Sequence, residues 1–149
     1  MNVQSHILIS VVENSPFGVL SMGEYEDTLR DIEKSFGFVP GFMKALPKDS
    51  LIKDWPLLKK YQMGESKIPQ KYREFIGLAV AANLKCPYCL LMHTAMATGY
   101  GATGDEFSEV ALLAGQTAKW SAMLHALQYN YDTFMKEVHQ IHEFAKKKK

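Results

Sequence analysis

Residues 69–101 read PQKYREFIGLAVAANLKCPYCLLMHTAMATGYG, and their pattern decides the fold. Pro69 fits the first turn of a helix, where its missing N–H costs nothing. From Gln70 to Leu84 the apolar residues Phe75, Ile76, Ala79, Val80 and Ala82 recur at helical spacing. The small residues among them let a neighbouring backbone come close. A second helix starts at the cysteines, with Pro87 at a favourable first position, and Gly99 and Gly101 end it. Two helices in immediate succession, with no alternation of apolar and polar residues, place the chain in the all-α class.

The same periodicity extends in both directions. Upstream, Tyr25, Leu29, Ile32 and Phe36 share a helical stripe that Gly37 terminates. Phe38-Val39-Pro40-Gly41-Phe42 reads as a turn with apolar anchors, and Phe42, Met43 and Leu46 predict one short helical turn before Pro47. Residues 49–64 read as a helix around Leu51, Ile52, Trp55, Leu58 and Tyr61, in which Pro56 imposes a kink or a late start. Downstream, Thr103-Gly104-Asp105-Glu106 is a capping-box pattern, and Phe107, Val110, Ala111 and Ala114 follow it. A last long helix is predicted to carry Trp120, Met123, Leu124, Leu127, Tyr131, Phe134, Val138 and Ile141. The expected architecture is a bundle of about six or seven helices. The wide apolar stripe of its last helix suits either a core or contacts between subunits.

Bulk properties bound the function. The 149 residues suit one domain (1–149) with an N-terminal arm over about 1–20, where Pro16 and Gly18 mark a loop, and a Lys tail at 146–149. Hydrophobic residues make up 47% and charged residues 22%, the balance of a globular domain. The formal charge is +1; the four tail lysines account for more than all of it, leaving −3 for the rest. That leaves no basic face for nucleic acid before the tail. No apolar run approaches the roughly 18 residues of a membrane helix, and the start shows no basic region before its apolar residues. The expectation is a cytoplasmic protein. Two cysteines close together point to chemistry more than to a structural cross-link framework.

That chemistry centres on Cys86-Pro87-Tyr88-Cys89, with His93 four residues further on. Cysteines at i and i+3 share one helix face and can close a short disulfide. At a helix start, free N–H groups and the positive dipole end stabilise a thiolate, the attacking species in thiol exchange. His93 lies one turn past Cys89 on the same face and can take or relay a thiol proton. Glu74 sits among Phe75, Leu78 and Ala81, an apolar setting that suits a proton acceptor; alone, it reads as an ordinary exposed Glu paired with Lys71. Met92, Met96 and Tyr100, with Tyr88, are candidate walls of a pocket at this face.

Glu74, eleven residues, Cys86, two residues, Cys89, three residues, His93 is the active-site pattern of the alkylhydroperoxidase D (AhpD-like) family, within the carboxymuconolactone decarboxylase superfamily. The chain resembles that family from about Phe36 to Ala114, including the turn Phe38-Val39-Pro40-Gly41-Phe42 and the helix after Pro69. The resemblance implies a dithiol–disulfide cycle at Cys86 and Cys89. The pair reduces a peroxide or organic hydroperoxide, or passes electrons to a peroxiredoxin. A lipoyl-bearing protein or another thiol donor then re-reduces it. Glu74 and His93 would be the proton relay, and Cys89, the helical neighbour of His93, would be the activated thiolate. The resemblance also implies a homo-oligomer, a trimer or hexamer; no cofactor and no resident metal are expected. One position departs from the better-known members: Tyr88 stands where they place a second His, and a phenol titrating near pH 10 is a poor base at neutral pH.

Three other readings compete. Cys86, Cys89, His93 and Glu74 have the donor types of a zinc site, without a second Cys/His pair at ligand spacing. The superfamily's namesake chemistry, decarboxylation of a lactone acid, needs no dithiol. A non-catalytic thiol redox sensor would use the same cysteines. Elsewhere, His139 and His142 read as a solvated helix face, His125 as a packing histidine, Met123 as core filler, and Trp55 and Trp120 as core or interface anchors.

Overall fold

Glu24 in the first turn and Lys34 in the last suit the helix dipole, and between them Leu29 and Ile32 keep one face apolar, so the chain from Met22 to Phe36 is helical (α1). The structure is a computed structural model and describes residues 22–148; the expected N-terminal arm and Lys149 lie outside the described residues. Six further helices follow: α2 (Gly41–Lys44), α3 (Lys48–Leu58), α4 (Gln70–Leu84), α5 (Pro87–Gly99), α6 (Gly104–Ala126) and α7 (Tyr131–Lys147). A π-helical turn, Lys59–Met63, extends α3. Among the described residues there is no strand, and the all-α expectation holds. No helix among them is long and apolar enough to cross a membrane.

The described residues form two compact units that meet in sequence between Ser66 and Lys67. In the first, α1 packs on α3. Ile32, Met43, Leu51 and Trp55 are its buried core, with Tyr25, Leu29, Val39 and Met63 packed against them. Full burial of such a side chain contributes roughly 1.5–3 kcal/mol. Trp55 also stands edge-on to Phe36, with ring centroids 5.4 Å apart, and its indole N–H donates to Asp31 at 2.7 Å. Lys59 pairs with the same carboxylate at 2.6 Å.

Two expectations change here. Val39 and Met43 anchor the turn before Pro47, whereas Phe38 and Phe42 are exposed. Pro56 neither delays nor ends its helix: α3 starts at Lys48 and runs through the proline. The break in its hydrogen-bond ladder is followed three residues later by the π-helical turn.

In the second unit α4 packs against both α5 and α6. Ala81 of α4 and Ala97 of α5 are almost fully buried, and side chains this small let helix axes come close. Phe75 meets Phe107 edge-on at 5.8 Å across the α4–α6 contact. The capping box at the start of α6 is formed in full: Thr103 accepts from the Glu106 N–H at 3.2 Å, and Glu106 accepts from the Thr103 N–H at 2.9 Å.

The predicted last helix is two helices. α6 continues from its capping box through Trp120 to Ala126, and a new helix starts at Tyr131. Gln128 takes a left-handed φ of 50°, and the Asn130 side chain accepts the Thr133 N–H at 2.9 Å as a fresh N-cap. Two helices joined by this corner still keep an apolar stripe, which is why periodicity alone joined them. α7 then runs through Lys147, so the Lys tail is helical to that point, with Lys146 paired to Glu143 at 2.7 Å.

Candidate active site

α4 and α5 are joined by one corner. Lys85 turns the chain with a left-handed φ of 56°, and the Cys86 N–H returns to the Ala81 carbonyl at 3.0 Å. This helix end closes on orphan carbonyls in the manner that glycine usually serves. It delivers Cys86 in extended conformation as the N-cap of α5, with Pro87 at the first helical position.

The N-cap role falls on a sulfur. Cys86 Sγ accepts the backbone N–H of Cys89 at 3.3 Å. Both thiols are free and half-buried. The Cys89 thiol donates to Cys86, and with the Cys89 backbone N–H and, less, that of Tyr88 it draws the Cys86 pKa below the ordinary thiol value, against the opposing effect of burial. The Cys89 pKa is raised, first by that same thiol–thiol bond, then by burial and by the charge on Cys86. The thiol–thiol bond thus favours the thiolate at Cys86 and the thiol at Cys89. The contacts that stabilise a thiolate converge on Cys86, while Cys89 is the helical neighbour of His93.

Glu74 and His93 meet inside the unit. Glu74 is 3% exposed and His93 8%, and Glu74 Oε2 lies 2.8 Å from His93 Nδ1. The two side chains come from facing helices, α4 and α5, which fixes the ring nitrogen that faces the carboxylate. The ordinary-glutamate reading is overturned: Lys71 pairs with Glu106 of α6 at 2.6 Å. That bridge ties the first turn of α4 to the first turn of α6, and Lys71 also lies over the Tyr72 ring. It was not legible in the sequence, because Lys71 and Glu106 are 35 residues apart.

The remaining candidates lie outward. Tyr88 is 85% exposed, Met92 and Met96 are exposed, and Tyr100 is half-buried at the end of α5. Trp55 is a core residue, but Trp120 and Met123 are exposed. His125 is exposed as well, hydrogen-bonded to the Ser121 carbonyl at 2.7 Å rather than packed in a core. His139 and His142 are exposed, as expected of a solvated face. Among the described residues no group of three or more His, Cys, Asp or Glu side chains is arranged to hold a metal ion. An open apolar groove of about 600 Å³ runs between α4 and α6, lined by Ile76, Val80, Leu84, Val110 and Leu113 among others. None of the four site residues lines it.

A half-buried dithiol at a helix start and a buried carboxylate–imidazole pair on the same two helices can together move electrons and protons. Comparison with known proteins places the chain in a family. Residues 52–130 match the family described as the carboxymuconolactone decarboxylase family. An alkyl hydroperoxide reductase of Mycobacterium tuberculosis is 30% identical over 95 residues, 62% of this chain and 26% of that protein. The chain thus spans about a quarter of that curated relative's length. The crystal structure of the alkylhydroperoxidase AhpD core from Rhodospirillum rubrum is 29% identical. It covers 76% of this chain and 88% of its own, with a TM-score of 0.65.

Proposed function

This chain belongs to the carboxymuconolactone decarboxylase family and is AhpD-like within it, and on that premise we propose that it is a thiol-dependent peroxide reductase. The observation that carries the reading is the pairing of a thiolate-stabilising N-cap at Cys86 with a buried Glu74–His93 hydrogen bond on the adjoining helices.

The cycle runs as follows. The Cys86 thiolate attacks the terminal oxygen of a hydroperoxide, and the O–O bond breaks. The departing alkoxide takes a proton and leaves as an alcohol, and Cys86 becomes a sulfenic acid. Cys89 gives its proton to the His93–Glu74 relay and attacks the Cys86 sulfur. An S–S bond forms, and the hydroxyl leaves with the relayed proton as water. An external dithiol then exchanges with the disulfide, becoming a disulfide itself and restoring both thiols. Two electrons thus pass from the external dithiol to the peroxide. A lipoyl-bearing protein suits the donor role, and a peroxiredoxin can stand between this dithiol and the peroxide. A reducing compartment such as the cytoplasm suits the cycle.

Assembly belongs to the same reading. Helix α7 has no buried residue, although Phe134, Val138, Ile141 and Phe144 form one apolar stripe along it. A homo-oligomer in which copies of the chain cover such stripes fits an interface more than a solvated surface.

The test is steady-state consumption of an organic hydroperoxide with dihydrolipoamide or another dithiol in excess. Wild type should turn over repeatedly, and Cys86→Ser and Cys89→Ser should each lose turnover. A single oxidation per chain with every dithiol would establish a sensor instead. Decarboxylation of a lactone acid that persists in Cys89→Ser would establish the namesake chemistry.

A further inference from the structure

We propose that Gly77 is the positioning residue of the site: its missing side chain is the space that the His93 imidazole occupies in order to reach Glu74. A Cβ built on Gly77 would lie within 2.7 Å of His93 Cε1, Nε2 and Nδ1. Atoms in contact settle at about 3.5–4.0 Å, so even alanine would overlap the ring. The ring cannot simply retreat. It is buried on α5 where that helix packs on α4, and its Nδ1 is held by Glu74, one turn before Gly77 on α4. Glu74 and Gly77, at i and i+3, therefore share one face of α4, the first as hydrogen-bond partner and the second as clearance.

The choice of glycine has a cost that points the same way. A glycine inside a helix lowers helix stability relative to alanine, because its backbone is freer when unfolded. Gly115 in α6 shows what such a position looks like without a neighbour: nothing lies within 4 Å of a Cβ built there. Gly77, half-buried where Gly115 is exposed, has the imidazole in the place that a Cβ would take. Gly77 bears on turnover only through the relay role proposed above for His93; its packing against the ring stands apart from that role.

The experiment compares Gly77→Ala with Gly115→Ala, each in the wild-type and in the His93→Ala background. In wild type, Gly77→Ala should lower the melting temperature while Gly115→Ala raises it. With His93 removed the sign should reverse at position 77, because the Cβ then enters the vacated space and the helix gains from alanine. In a folded Gly77→Ala variant, the NMR resonances of the His93 ring at a fixed pH should move away from their wild-type positions to those of Glu74→Gln, because the ring loses the same hydrogen bond. The double variant Glu74→Gln/Gly77→Ala should show no further displacement beyond either single one. Peroxide turnover should fall about a hundredfold, the scale of a displaced catalytic group. If Gly77→Ala does not fold, recovery of the fold in His93→Ala/Gly77→Ala supports the proposal, and failure to recover it overturns it. Gly77→Ala that raises the melting temperature and leaves the His93 ring resonances at their wild-type positions also overturns it. A wild-type protein that turns over no peroxide would defeat the reductase reading alone, since melting and the His93 ring resonances still decide the role of Gly77.

Discussion

The backbone N–H of Cys89 points at the sulfur of Cys86 across 3.3 Å, so one thiol of the pair caps the helix that carries the other. A helix start leaves donors without intrahelical partners, and an anionic sulfur satisfies them better than a neutral one. The two cysteines are therefore unequal before any reagent arrives.

That inequality can be read by alkylation. Near neutral pH, limited iodoacetamide should label Cys86 before Cys89, as mapped by mass spectrometry of the digested protein. The sign follows from the thiolate being the reactive form. The Cys86 pKa is lowered, so its labelling rate should stay high to a pH below that of an ordinary cysteine and fall as pH drops through the lowered value. Cys89→Ala removes the largest cause of the shift, the Cys89 thiol donor, and should move that midpoint upward. Faster labelling of Cys89 would reverse the assignment of roles.

Glu74 should separate chemistry from stability. Glu74→Gln keeps the side chain's shape and an oxygen that can face His93, so the fold should hold. Turnover should nevertheless fall about a hundredfold, within the range that positioned acid–base groups supply. Glu74→Ala instead leaves the buried His93 Nδ1 without its partner and should cost roughly 1–3 kcal/mol in urea unfolding. Turnover by Glu74→Gln that matches wild type at every pH would remove the relay role.

The corner at Lys85 offers a stabilising change. A side chain at a left-handed φ of 56° costs roughly 1–2 kcal/mol that glycine avoids. Lys85→Gly should therefore raise the melting temperature, with a net gain of about 1 kcal/mol after glycine's extra freedom in the unfolded chain. A lower melting temperature would mean that the lysine side chain contributes more than its backbone strain removes.

Much of this was legible in the sequence, for identifiable reasons. α4 runs from Gln70 to Leu84 as expected, and the start of α5 at the cysteines was fixed by Pro87. The Thr103–Glu106 capping box was visible because its chemistry is local. What escaped is what depends on distant residues or on backbone handedness. Lys71 chose Glu106 over its near neighbour Glu74, a choice that only helix packing decides. The break between α6 and α7 turns on the left-handed Gln128, a residue with no special claim to that conformation. The cap at Cys86 is likewise a matter of backbone direction, which helical proximity of His93 to Cys89 does not reveal. Gly77 was visible as a small residue in an apolar helix, but nothing in the string of letters says that an imidazole lies against it.

The four residues of the site all fall between positions 74 and 93, and the hydrogen bond that closes it spans only 19 residues. Loop closure over so short a stretch costs little chain entropy, and contacts this local are the kind that speed folding. Two helices and one left-handed corner are enough to bring the carboxylate to the imidazole and to set the sulfur at a helix start. All four candidate residues thus lie on one hairpin of helices, and every side chain of the candidate centre comes from a stretch of 20 residues.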